Sequence, residues 1–166
     1  MVETNDPSVR RPLDPRAIDA ASAFLKDTVI AMGLDADVNV REEGGDTVLE
    51  LSGPDAKHLV GKKGATIDAL QLLSNRVATK TVGGDRASLV VDADGYRARR
   101  ERTLTTMAQE LGEKCVQEGK VIFMEPLPPR ERRTVHMALA KFPGVATESE
   151  GEGEERRIKI IPMPPP

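Results

Sequence analysis

The chain has 166 residues, 39% of them hydrophobic and only 2% aromatic, with a formal net charge of −3. That suffices for one ordinary domain or two small ones, and the absence of Trp beside a single Tyr, Tyr96, argues against the aromatic stacking platforms of RRM-type and OB-type single-strand binders. One cysteine, Cys115, excludes an internal disulfide framework, and no apolar run has signal-peptide or membrane-span character, so a soluble cytoplasmic chain without membrane insertion is expected.

The distribution of charge matters more than its sum. Residues 1–53 carry 5 basic and 11 acidic side chains, residues 54–86 carry 6 and 3, and residues 87–166 carry 13 of each. Positive charge is concentrated in the central segment and in local arginine clusters, as a localised nucleic-acid face requires.

In chain order, residues 1–12 read as a disordered polar tail. Asp14 and Pro15 make an N-cap and first-turn pair. From there a helix runs to Met32 on the spacing of Ile18, Ala21, Leu25, Val29 and Met32, stopped by Gly33. Asp37–Arg41 and Thr47–Leu51 alternate as strands around a Glu42–Asp46 turn. A short helix over Pro54–Val60 leads into Gly61-Lys62-Lys63-Gly64. A longer helix begins near Ala65 with Ile67, Leu70, Leu73 and Val77 on one face. Gly83-Gly84 lies beyond its end, and Ala87–Val91 is a third strand.

A helix from Tyr96 to about Glu118 carries the stripe Leu104, Met107, Ala108, Leu111 and Cys115. Residues 120–124 form a short strand, and Pro128–Lys141 a helix with Val135, Ala138, Leu139 and Phe142 inward. Val145–Ser149 and Arg156–Ile161 form a hairpin around an acidic loop. Pro162–Pro166 is a Pro-rich tail unable to continue a central strand. The strand-to-helix change at Asp92–Gly95 marks the boundary between two units, 13–93 and 94–161.

Two motifs carry chemistry. In the first, Gly61 and Gly64 let the backbone turn sharply and approach a ligand. The unpaired amides of the following helix supply partial positive charge, and Lys62 and Lys63 add full charges. Together they suit a sugar–phosphate backbone. Gly-X-X-Gly alone also fits a solvated turn; its place in a helix-loop-helix between strands singles it out. A P-loop fails on spacing, since Ala56 stands where the first Gly is needed and Lys63 follows Lys62. In the second motif, Arg132 and His136 are four apart and share one helix face at the edge of the core, with Arg133 further out; a guanidinium and an imidazole can grip a phosphate together.

Val60-Gly61-Lys62-Lys63-Gly64-Ala65-Thr66-Ile67-Asp68-Ala69-Leu70-Gln71 resembles the GXXG loop and following helix of bacterial type II KH domains, with residues 15–41 supplying their extra helix and strand. The resemblance implies a groove between the GKKG helices and a sheet edge that holds about four unpaired nucleotides. Val60 and Ile67 would floor it, with Leu70 and Val90 as further candidates more readily read as core. Arg132-Arg133-Thr134-Val135-His136 matches the Arg-X-X-X-His signature of the R-three-H domain, and residues 145–158 resemble its closing hairpin in the Jag family (SpoIIIJ-associated proteins), whose members place the KH domain first. The separate N-terminal domain of many Jag proteins has no counterpart in the dozen residues before the first helix, so its functions are not carried over.

Arg97, Arg99, Arg100 and Arg102 crowd the first turns of a helix against its dipole, which implies an outside benefit; phosphate contact by Arg99 and Arg102 is one reading, a solvated face or pairs with nearby acids the other. His58, just before the GKKG loop, borders the groove or lies on open surface. The acidic loop reads as a solvated turn, and Cys115 as core. Two histidines and one cysteine support neither a zinc site nor a Cys-His nucleophile. The expectation is therefore an α+β chain, a type II KH domain followed by an R-three-H α/β domain. It is expected to bind single-stranded RNA without catalysis or cofactor; the family resemblance implies a post-transcriptional role, as a regulator or RNA chaperone, with another small KH protein as candidate partner. Single-stranded DNA binding, or a ribosome- or protein-associated adaptor with a structural KH fold, is the alternative.

Overall fold

A computed structural model describes residues 13–83 and 88–164. The expectations for residues 1–12, Gly84, Ala87 and the last two prolines lie outside this range. The chain divides into two compact units, one ending at Arg97 and the other starting at Ala98.

In the first unit the order is α1 (Pro15–Ala31), β1 (Asp37–Glu43), β2 (Asp46–Ser52), a 3-10 turn at Ala56–Leu59, a second at Lys62–Gly64, α2 (Ala65–Val82) and β3 (Leu89–Ala93). The Asp14 carboxylate accepts from the Arg16 amide at 2.9 Å, and Pro15 occupies the first turn, as the sequence predicts. Gly44 and Gly45 both have positive φ, the two-residue geometry that matches strand twist, and they fix the Glu43–Asp46 register. β2 is central, antiparallel to β1 and parallel to β3. Leu49 and Leu51 of β2 join Leu89, Val91 and Ala93 of β3 in one core with Ala17, Ala21, Leu25 and Val29 of α1 and Ile67, Leu70 and Ala78 of α2.

On α2 the buried positions are Ile67, Leu70, Ser74 and Ala78. Leu73, expected inward, is exposed together with Leu72. Small side chains at Ala17, Ala21, Ser74 and Ala78, all fully buried, let α1 and α2 approach closely, and that close approach sets α2's rotation. Met32, expected on the α1 stripe, caps the helix and is exposed.

The second unit contains α3, which begins at Tyr96 in the first unit and ends at Glu118, then β4 (Ile122–Pro126), α4 (Pro129–Leu139), β5 (Val145–Glu150) and β6 (Arg157–Pro162). Its sheet is antiparallel in the order β4-β6-β5. Ile158 and Ile160 face Leu104, Ala108 and Cys115 of α3 and Val135 and Leu139 of α4. Cys115 is core, as predicted, and burial raises its thiol pKa. Gly112 explains how close α3 and α4 come: a Cβ there would lie 3.0 Å from Leu139 and 3.3 Å from Phe142. β4 starts two residues later than predicted and ends on Pro126, tolerated because β4 is an edge strand. β6 also reaches Pro162, against expectation; this proline is the strand's last residue, and the Met163 amide bonds Gly144 O at 2.8 Å.

Among the described residues no helix is long and apolar enough to cross a membrane, and no group of three potential metal-binding side chains occurs.

Candidate nucleic-acid interface

The GKKG loop is built on three unusual backbone conformations. Gly61 has φ 70° and ψ −176°, a region open essentially to glycine alone. A Cβ at Gly61 would lie 2.1 Å from Thr66 Oγ1 and 2.8 Å from the Thr66 amide nitrogen. Lys63 (φ 53°) and Gly64 (φ 83°) are both left-handed, and a Cβ on Gly64 would sit 3.0 Å from the Tyr96 ring. Lys62 stands exposed at the apex, and Lys63 is half-buried.

This reversal changes the expected role of the helix terminus. Val60 O accepts from the Thr66 and Ile67 amides (3.2 and 3.4 Å), Gly61 O from Gly64 (3.4 Å), and Lys62 O from Ala65. The first amides of α2 are therefore bonded within the loop.

The sheet-edge side is also more closed than the sequence suggests. The Asn75 side chain bonds both Leu89 N and Leu89 O (2.8 and 3.0 Å), and Gln71 Oε1 accepts from Val91 N (3.0 Å). Arg97 Nε donates to Val91 O (2.8 Å), and its Nη2 to Asp68 (2.8 Å) and Gln71 (3.1 Å). The outer backbone groups of Leu89 and Val91 on β3 are thus tied to α2 and to Arg97. Ile67 is wholly buried and Leu70 nearly so; both support the loop from within and offer a ligand almost no surface. Val60 retains partial exposure, and Val90 pairs with Val48 on the sheet face away from the helices. His58 is exposed, 4.0 Å from Asp55.

In the second unit the Arg132–His136 pair faces inward. Arg132 Nη1 donates to Leu127 O at 2.7 Å. The His136 ring nitrogens meet the hydroxyls of Thr147 (2.7 Å) and Ser149 (3.1 Å) on β5. Burial, and then the Arg132 charge, push the His136 pKa below its ordinary 6.5, so the ring is neutral at pH 7. Both ring nitrogens are engaged by hydroxyls of β5. Arg133 is exposed on the other side of α4, and Arg99 and Arg102 are exposed on α3.

Among the crowded arginines, Arg97 and Arg100 have internal duties. Arg97 forms the clamp above, and Arg100 makes a bidentate pair with Glu131 at 2.8 and 2.9 Å. Glu148 and Glu150 lie near Lys159 (3.0 and 3.6 Å), leaving Glu152, Glu154 and Glu155 in solvent. The sequence reading gathered neither Tyr96 at the loop nor a groove between α3 and α4 containing Glu101, Arg130 and Arg133. The i, i+3 spacing of Arg130 and Arg133 was the available signal for the latter.

Comparison with known proteins agrees with this architecture. The R-three-H domain family matches residues 102–162, from within α3 to the end of β6, so this stretch of the chain is an R-three-H domain. Over 86% of its length the chain is 35% identical to RNA-binding protein KhpB of Clostridium symbiosum, covering 64% of that protein. It is 33% identical over 89% of its length to RNA-binding protein KhpB of Bacillus subtilis, covering 71%. A third KhpB, from Lactiplantibacillus plantarum, is 31% identical and covered over 47% of its length. The chain belongs to the KhpB family, the Jag family that its motif order resembles.

Proposed function

We propose that this chain is a non-enzymatic binder of single-stranded RNA, its first unit a type II KH domain and its second the R-three-H domain. The observation that carries the reading is the GKKG loop: three glycine-dependent or left-handed residues out of four hold Lys62 at an exposed apex with Lys63 beside it. Thr66 and Tyr96 pack against the two glycines, and the left-handed Lys63 between them places two cationic side chains where a phosphate can approach the backbone closely. The similarity to relatives known as RNA-binding protein KhpB supports the same reading. In the R-three-H domain Arg133 contacts phosphate, while His136 braces α4 against β5 and Arg132 ties α4 to the Leu127 carbonyl before it. Two weak sites on one chain gain avidity through effective concentration. The role is post-transcriptional and cytoplasmic, with a small KH protein as partner.

The test is a titration of fluorescent single-stranded RNA, single-stranded DNA and duplexes against wild type and Lys62→Asp/Lys63→Asp. Binding of single-stranded RNA that collapses in the folded charge-reversal variant supports the proposal. A wild type that binds no RNA at low salt, or a variant that binds equally well, overturns it.

A further inference from the structure

Between α3 and α4 lies a groove of about 430 Å³, lined by Glu101 and Thr105 from α3 and by Arg130, Arg133, Thr134 and Met137 from α4. The volume is in the range of small-ligand sites, roughly 300–1,000 Å³. Among the described residues, the side chains of Glu101, Arg130 and Arg133 form no ion pair or hydrogen bond. One carboxylate and two guanidiniums thus share a groove without neutralising one another. Glu131, the acidic residue between the arginines in sequence, is committed to Arg100. Cations in the first turns of α4 oppose its dipole, so nothing in the fold itself rewards this arrangement.

Arg130 and Arg133, three apart on a helix, have Cβ atoms about 5–6 Å apart, a spacing suited to neighbouring phosphates on one strand. A carboxylate beside two phosphates is repulsive unless it receives a donor, because ionised carboxylate and phosphate oxygens only accept hydrogen bonds. The sugar–phosphate backbone offers one donor, the ribose 2′-hydroxyl, and DNA lacks it. Met137, 66% exposed, adds an apolar surface for the sugar or base.

We infer that this groove grips two successive phosphates of single-stranded RNA through Arg130 and Arg133 while Glu101 accepts the hydrogen bond of the 2′-hydroxyl between them. Glu101 thereby discriminates RNA from DNA, attracting one and repelling the other. The inference rests on the single-strand RNA reading above and adds what selects the sugar.

The experiment measures RNA and all-deoxy oligonucleotides of one sequence against the full chain, wild type and variants, at several salt concentrations. Arg130→Ala/Arg133→Ala weakens RNA binding and lowers the salt slope by about 1.4, at roughly 0.7 per phosphate. Glu101→Gln lowers the RNA-to-DNA affinity ratio about tenfold, with DNA binding tighter than to wild type. Circular dichroism verifies that these surface variants stay folded. An unchanged ratio in Glu101→Gln, or unchanged RNA binding in the double arginine variant, overturns the groove. If Lys62→Asp/Lys63→Asp still weakens RNA binding, only the groove fails; if wild type binds no RNA, both readings fail.

Discussion

At Gly61 the backbone adopts a conformation that a side chain cannot follow, and its neighbour Thr66 fills the space where a Cβ would go. Gly61→Ala is expected to rebuild the loop and weaken RNA binding with little loss of global stability, because the strain lies in an exposed turn; calorimetry beside an RNA titration checks both halves. The two glycines and lysines were legible from sequence. The Val60 carbonyl that takes up the amides of Thr66 and Ile67 was not, since it depends on a loop closure no spacing encodes.

His136 illustrates the same limit. Its i, i+4 relation to Arg132 was readable, but its partners Thr147 and Ser149 come from a strand distant in sequence. Because its pKa is lower folded than unfolded, the unfolded chain binds the proton more readily. Its contribution to stability is complete above about pH 6.5 and is lost as pH falls from there through the folded pKa. His136→Gln should therefore lose less stability than wild type between about pH 7.5 and 5.5 in urea unfolding; identical pH dependence in the two proteins would contradict this.

At the scale of elements, hydrophobic spacing located every helix and strand to within a few residues but misjudged how α2 is rotated. Leucines at 70 and 73 read as an inward pair, yet α1 presents alanines that admit only small partners, so Ser74 and Ala78 turn inward and Leu73 outward. Among the described residues, Ser74 Oγ is consequently buried without a hydrogen-bond partner. Ser74→Ala is expected to stabilise the first unit by about 1 kcal/mol, read as a higher urea midpoint at unchanged m. In the second unit, Arg100 and Glu131 join α3 to α4 with side chains only 19% and 11% exposed. Glu131→Ala removes the carboxylate opposite a largely buried guanidinium and should cost about 3 kcal/mol. A loss below about 0.5 kcal/mol would place the pair among ordinary surface contacts. Periodicity could not foresee this pair, because α4's first turn reads as a solvated run of charge.

For the whole molecule, a net charge of −3 conceals an uneven distribution. The KhpB family is shared with relatives that this chain covers over 47% to 71% of their length. The fold class and order of elements followed from short-range patterns. The lining of the candidate interface did not, since it depends on how helices pack and which arginines the fold consumes. The measurement that bears most directly on the central claim is the salt dependence of single-stranded RNA affinity for wild type and Lys62→Ala/Lys63→Ala. If the lysines each neutralise one phosphate, the slope of log K against log salt falls by about 1.4 in the variant. An unchanged slope at unchanged affinity would contradict the account and make the GKKG loop a structural turn.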